Sequence, residues 1–267
     1  MCPAFGGSIM LKFERQAKIL QLLGDRGFIS NEDLAKEFNV SLVTIRRDLK
    51  NLLKQNLIKL EHGGVTDINY LVRGKEPLYN TKVFMNKEKK QAIGAAALKL
   101  IKEGEVIILD SGTTTAEIAR NICKARFKDL TIITNDLMVA KELCQDNNLQ
   151  VLLLGGILRN SYYSTYGPYV EMILKLLKAN KYFMGVDAVN VTHGIFNLVL
   201  NEVSVKQKMI SISDKIIMVA DSSKFLKDAP YKVCDFKDID MIITDEGLQE
   251  SYSEFFKSIE INLLIAK

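Results

Sequence analysis

Between residues 105 and 267 the chain alternates short apolar runs with stretches of helical character. The runs are EVIILD, LTIIT, LQVLLLGG, YFMGVD, KIIMVAD and DMIITD, with EINLLIAK as a candidate last member. They are apolar from end to end rather than at every second residue, so they read as strands covered on both faces. Helical sequence over about 115–123, 135–144 and 168–178 supplies the cover, and a further helix is expected from Lys87 through KEKKQAIGAAALKLIKEG. Strands and helices interleaved in this way predict a larger α/β domain with a mostly parallel sheet.

Ligands of such sheets bind at the carboxyl ends of the strands. There the sequence places Asp110, Ser111, Gly112, Thr113, Thr114 and Thr115, then Thr134 and Asn135, then Gly155 and Gly156. Gly185, Val186 and Asp187 follow, and then Asp221, Ser222, Ser223 and Lys224. Each cluster has a plain structural reading, Gly155-Gly156 as a turn and Thr134-Asn135 as a helix cap. Together they are small and hydroxyl residues with one lysine, a set that suits a phosphate through backbone amides at a helix N-terminus, hydroxyl donors and a cation. The stretch LDSGTTT is not a Walker A loop, because no Gly-Lys-Thr/Ser follows, and it is not a GxGxxG fingerprint.

The first part of the chain is built differently. Leu11, Ile19, Leu22 and Leu23 have helical spacing, and Gly24 and Gly27 end it. Ser30 precedes NEDLAKEF with Asp33 three residues on, a capping box with Asp in place of Glu, and Leu34, Ala35 and Phe38 give that helix its apolar face. After a tight turn, Ser41 caps LVTIRRDLKNLLKQ. On a helical projection Leu42, Ile45, Leu49, Leu52 and Leu53 share one face about 100° wide. Val43, Thr44, Arg47, Lys50 and Asn51 lie opposite, with Arg46 on the flank. Two helices joined by a short turn, the second rich in Arg, form the helix-turn-helix pattern, whose exposed side meets base edges and phosphates. Asn56 stands where a left-handed helix terminator is expected. LIKLEHGGV then reads as a two-stranded wing containing His62, a residue placed either against a phosphate or in the turn itself.

Charge agrees with this division. Residues 10–62 hold 10 Lys and Arg against 7 Asp and Glu, so they carry +3 of the net +4. A basic segment ahead of a nearly neutral body suits a double-stranded DNA partner. The four cysteines, Cys2, Cys123, Cys144 and Cys234, form no CxxC pair, which suits reduced thiols in a cytoplasmic protein. The two histidines are far apart, so no metal site is expected, and no cofactor motif is present. No apolar run is long enough for a membrane helix. The uncharged residues 1–9 are read as an irregular leader, too short for a signal peptide.

The array FERQAKILQLL, then VSLVTIRRDL and HGG, resembles the DNA-binding end of DeoR-type bacterial transcription regulators. Arg15, Ile19 and Leu23 match the family's first helix; Ser41, Thr44, Ile45, Arg46, Arg47, Asp48 and Leu49 match its recognition helix. LDSGTTT, ITND, LLGG and DSSKF match the sensor-domain landmarks in order, from about Lys87 to Phe225. The resemblance implies a sensor domain with the fold of sugar-phosphate isomerases that takes a phosphorylated sugar or related metabolite. It implies that Ser111, Gly112, Thr113 and Thr114 hold the phosphate with Lys224 assisting, and that Asp110, Asn135 and Asp187 meet hydroxyls. Asn56, Leu60 and Asn180 depart from the family pattern, which has Gly, Arg and Asp there, and residues 195–200 are more apolar than usual. Asn180 and this apolar stretch are candidates for altering effector choice.

The resulting expectation is a winged helix-turn-helix domain over 10–66, a connector over 67–86 and an α/β effector-sensing domain over 87–267. The protein would be a ligand-responsive repressor, homo-oligomeric to match a two-fold operator. The alternative is an isomerase carrying a DNA-binding module, with Asp110 and Asp187 as acid and base and His193 in support. A third reading is an effector-blind DNA binder.

Overall fold

The computed structural model describes residues 11–26, 28–55, 57–61, 63–67 and 76–267. The leader, Asn56, His62 and residues 68–75 of the expected connector lie outside these residues. The chain separates into two compact units, 1–85 and 86–267.

In the first unit α1 (Lys12–Arg26) leads into β1 (Phe28–Ser30), α2 (Asn31–Glu37) and α3 (Leu42–Lys54). The hairpin β2 (Ile58–Glu61) and β3 (Gly64–Asp67) follows, and then α4 (Tyr79–Phe84). The wing has three strands in the order β1-β3-β2, one more than expected, because Phe28–Ser30 pairs antiparallel with β3. Ile19, Leu23, Leu34, Ile45, Leu49, Leu52 and Val65 form its core. Fully burying one such side chain is worth about 1.5–3 kcal/mol, so the three helices and the wing hold one another. α4 rests on α1 within the expected connector, with Tyr79 buried; six residues are too few to show a helical period.

Two local expectations change. Ser30 caps α2 by accepting from Asp33 N at 3.0 Å, but the Asp33 carboxylate meets the Ser30 hydroxyl at 2.7 Å instead of its backbone amide. Asp is one methylene shorter than the Glu of a full capping box. The buried face of α3 is Ile45, Asp48, Leu49 and Leu52, while Leu42 and Leu53 are exposed at 36% and 37%. The helix is rotated towards Asp48 because that carboxylate is bound in the core. Arg15 Nε lies 2.6 Å from Asp48 Oδ2, and Gln16 Nε2 donates to Asp48 Oδ1 at 3.3 Å.

The second unit begins with α5 (Lys87–Leu98), β4 (Glu105–Leu109), α6 (Thr113–Ala125), β5 (Leu130–Thr134), α7 (Leu137–Leu143) and β6 (Leu149–Leu153). The short strands β7 (Ile157–Leu158) and β8 (Thr165–Tyr166) precede α8 (Pro168–Leu174), β9 (Lys181–Gly185), β10 (Ala188–Asn190) and β11 (Gly194–Asn197). α9 (Leu200–Ser211), β12 (Ile216–Val219), β13 (Tyr231–Cys234), β14 (Met241–Asp245), α10 (Glu250–Ser258) and β15 (Asn262–Ala266) complete it. Seven strands form one parallel sheet in the order β15-β14-β12-β9-β4-β5-β6. β10, β11 and β13 make a small antiparallel sheet beside it.

The sheet is covered on both faces, as continuous apolar strands require. Ile107, Leu109, Ile132, Phe183 and Ile243 pack with α5, α6 and α7, while Ile108, Ile133, Tyr182, Met184 and Ile242 pack with α8, α9 and α10. α5 and α6 approach closely at Gly94, where a Cβ would stand 2.9 Å from the Glu117 backbone. From β4 the chain winds outward to β6, returns beside β4 as β9, and winds out the other way. The switch point therefore lies between β4 and β9, and in sheets of this kind the carboxyl ends of the strands at that point are where ligands bind. Among the described residues no helix is long and apolar enough to cross a membrane, and no cluster of His, Cys, Asp and Glu is arranged to hold a metal ion.

Candidate functional site

On α3, Ser41 Oγ accepts from Thr44 N at 3.2 Å and closes the helix start. Val43 is 65% exposed, Arg46, Arg47 and Lys50 are exposed, and Thr44 and Asn51 are half-buried. One outward side thus carries two guanidiniums, an ammonium, an amide, a hydroxyl and a small apolar group. Leu60 is 46% exposed on the wing.

The second candidate site is the switch point. Gly112, at φ 142°, turns the chain from β4 into α6, a backbone shape that L side chains rarely adopt. α6 begins at Thr113, two residues earlier than expected, so Thr113, Thr114 and Thr115 form its first turn. The first intrahelical bond there is Ala116 N to Gly112 O, so the amides of residues 113–115 have no acceptor within the helix. Thr115 Oγ1 reaches Asp110 O at 2.7 Å and Gly112 O at 2.8 Å and locks the turn. Ser111, Gly112 and Thr114 are half-buried, and Thr113 is buried.

The surrounding carboxylates shape the loop. Asp136 caps α7 through Met138 N and Val139 N, and its other oxygen accepts from Gly112 N at 2.9 Å. Asp110 is buried, and its Oδ1 takes Ser111 N at 2.8 Å. Its Oδ2 takes Tyr182 Oη at 2.7 Å, Gly185 N at 2.9 Å and the Lys206 ammonium. Asp110 therefore ties β4 to β9 and α9, a scaffold role distinct from the hydroxyl contact implied for it. Burial lowers the proton affinity of Lys206, but Asp110 and then Glu202 outweigh it and hold the ammonium above its ordinary value. Burial, reinforced by Asp110, pushes the Tyr182 phenol well up.

Of the other sequence candidates, Thr134 Oγ1 accepts from Asp136 N at 3.1 Å. Asn135 is buried and donates to Thr165 O at 2.8 Å, while its Oδ1 has no partner among the described residues. Gly155 and Gly156 are exposed in the turn from β6 to β7. Asp187 Oδ2 accepts from Leu198 N at 3.0 Å, and Lys224 Nζ stands 3.9 Å from Asp187 Oδ1. Lys224 lies in the 3-10 turn Ser222–Leu226, which Asp221 caps through Ser223 N at 3.1 Å. Gly185 lies close to Ser111 O, so β9 brings Asp187 to the loop's side of the crevice. A cavity of about 220 Å³ at the ends of β12 and β14, lined by Lys89, Ser222, Gly247 and Tyr252 among others, includes none of residues 110–115.

Two expectations fail on geometry. His193 is exposed in the turn between β10 and β11, whereas Asp187 precedes β10 at the hairpin's open end, about three residues or roughly 10 Å away. The two cannot act as a pair. Asn180 accepts from Val106 N at 2.8 Å, at the amino ends of β4 and β9, and so lies at the far end of the sheet from the crevice.

Other residues of this region escaped the sequence reading. Glu202 on α9 is buried and accepts from Arg159, from Ser164 Oγ at 3.0 Å and from Asn197 Nδ2 at 2.9 Å. The Glu202/Lys206 spacing of four, which sets an acid and a base on one face of the helix, was the available signal.

Comparison with known proteins matches each unit to a family model. Residues 15–70 match the family model of the DeoR-like helix-turn-helix domain, and residues 85–246 match that of the DeoR C terminal sensor domain. The chain is 33% identical over 257 residues to the HTH-type transcriptional regulator GlpR of Haloferax volcanii, spanning 96% of this chain and 98% of that one. It is 31% identical over 236 residues to the transcriptional repressor AccR of Agrobacterium fabrum, spanning 88% and 90%. Among solved structures it overlaps ribose 5-phosphate isomerase A of Methanocaldococcus jannaschii with a TM-score of 0.39 and 18% identity, over 52% of this chain and 55% of that one.

Proposed function

The chain belongs to the DeoR family of transcription regulators, and we propose that its sensor crevice grips the phosphate of a sugar phosphate or related metabolite whose binding releases operator DNA. The observation that carries this reading is the Ser111–Thr114 turn. It sits at the switch point of a parallel sheet and opens a helix of 13 residues whose first amides have no intrahelical acceptor. Such a helix start favours an anion through its N–H groups and its dipole. Lys224 and Asp187, at the ends of β12 and β9, supply a cation and an acceptor for the rest of the ligand.

In the first unit, Val43, Thr44, Arg46, Arg47, Lys50 and Asn51 read the operator, with Ser41 at the helix start and His62 in the wing meeting phosphates. Repression is the sign we adopt, as in the relative named a transcriptional repressor. The effector acts only through unequal affinity for the DNA-bound and free arrangements, a coupling of about 1–3 kcal/mol.

Thermal unfolding of the full chain with a panel of sugar phosphates, each beside its unphosphorylated sugar, tests the reading. A matching sugar phosphate at about 100 times its Kd stabilises by about 2.7 kcal/mol. The same compound then releases DNA fragments that the protein selects from a random pool. If free sugars act as strongly as their phosphates, the phosphate grip is wrong.

A further inference from the structure

The polar side chains at the switch point are joined in one continuous arc. Gly112 N donates to Asp136, and Asp136 meets Ser164 across an antiparallel bridge. Ser164 Oγ donates to Glu202 at 3.0 Å, and Asn197 Nδ2 reaches the other Glu202 oxygen at 2.9 Å. Leu198 N, next along the chain, donates to Asp187 at 3.0 Å, and Asp187 faces Lys224. Lys206 and Asp110 close the base, with Gly185 held between them.

The charges of this arc are largely spent on one another. Lys206 is paired with Asp110, and Arg159 with Glu202, its guanidinium 4.3 Å over the Tyr162 ring. Lys224 has the loosest pairing, 3.9 Å from Asp187. Asp110, Asp136, Asp187 and Glu202 stand against Arg159, Lys206 and Lys224, so the arc has one formal negative charge in excess before a ligand arrives. Asn135 Oδ1, at the carboxyl end of β5 and beside Thr165, is a buried acceptor with no partner among the described residues. A buried acceptor left unpaired is costly, so the position calls for a donor.

We propose that the effector bears its phosphate as its only acidic group and turns an uncharged, hydroxyl-bearing tail to this arc, with Asp187 and Glu202 excluding a second anion. The inference rests on the phosphate grip proposed above. A phosphate brings roughly −1.5 to −2 charges and takes up Lys224 and the first amides of α6. A second phosphate or a carboxylate would then lie among carboxylates whose cations are already engaged, where little water screens the repulsion. Hydroxyls instead donate to Asp187 and Asn135. The arc thus selects by repulsion as well as by attraction. The class so named is the monophosphates of sugars and polyols, and it leaves out sugar bisphosphates and phosphorylated sugar acids.

Isothermal titration calorimetry of the full chain tests the proposal. The probes are aldose, ketose and alditol monophosphates of three to six carbons, each beside its free sugar and beside the counterpart with a second phosphate or a carboxylate at the other end. The tightest monophosphate should bind at least about thirtyfold more tightly than its doubly acidic counterpart. Asp187→Asn should narrow that ratio at least about fivefold, and Glu202→Gln gives the same reading if Asp187→Asn does not fold. A purely structural role would weaken both ligands alike and leave the ratio unchanged. Phosphate-dependent binding in which the doubly acidic compound is as tight or tighter, or a ratio that neither folded variant changes, would overturn the proposal. Free sugars that bind as well as their phosphates, or a panel in which no phosphate binds, would overturn the phosphate grip itself and this inference with it.

Discussion

The Asp136 carboxylate accepts the Gly112 amide at 2.9 Å while capping α7, so one side chain holds the entrances of two helices together. The loop at Ser111–Thr114 is therefore built before any ligand arrives, and its Gly112 amide is already committed. An anion must use the amides of residues 113–115, which leaves Thr114 as the informative position because it is half-buried where Thr113 is buried. Thr114→Asp adds a carboxylate in the first turn, a place that favours negative charge in a helix and so spares the fold. The variant should bind DNA normally and lose its response to every sugar phosphate that releases the wild type. DNA release at the normal effector concentration would show that the phosphate binds elsewhere.

Arg47 projects from the exposed side of α3, opposite the buried Ile45, Asp48, Leu49 and Leu52. Arg47→Ala should weaken specific DNA binding by about 1–3 kcal/mol if the guanidinium meets a base edge. Fluorescence anisotropy on selected and random DNA separates the two kinds of contact. An equal loss on both, with a shallower salt dependence, would make Arg47 a phosphate contact instead.

The parts of this fold that were legible share a physical cause. The sheet strands are buried on both faces, so they appear as unbroken apolar runs. The recognition helix has one wet and one dry face, so its period shows. The rotation of α3 was hidden because it depends on Asp48 meeting Arg15, 33 residues earlier. Lys206 was hidden for the same reason, since its partner Asp110 is 96 residues away. α9 mixes buried charges with apolar residues, which blurs its period and conceals that Glu202, Arg159 and Lys206 lie together. Gly155 and Gly156 look like ligand-loop residues in sequence, yet the fold uses them to turn towards β7.

Asp245 links stability to pH. Burial raises its proton affinity, but Ser222 N at 2.6 Å, Lys89 Nζ at 3.0 Å and Gly247 N at 2.9 Å outweigh it and hold the carboxyl below its ordinary value of 3.8. A folded-state value below the unfolded one gives stability that is complete above 3.8 and disappears as pH falls through the folded value. Urea unfolding between about pH 6 and pH 3 should therefore show a decline that Asp245→Asn reduces. The same acid dependence in both proteins would assign it to other carboxylates.

Lys206 and Asp110 give the sharpest test of how the crevice is held. Their side chains are 4% and 1% exposed, and Lys206 also donates to Gly185 O at 2.8 Å, so the pair fastens α9 to the β4–β9 junction. Removing one member of a buried pair leaves the other charge without compensation, at a cost of about 3–5 kcal/mol, whereas an exposed pair is worth about 1 kcal/mol or less. Lys206→Met should thus lower the unfolding free energy in urea by about 3–5 kcal/mol. Adding Asp110→Asn should recover much of that loss, because the amide oxygen still accepts from Tyr182 and Gly185 and neither position of the former pair then carries a charge. A loss of only about 1 kcal/mol in the single variant would mean that water reaches the pair, and the crevice would then be open rather than clamped at its base.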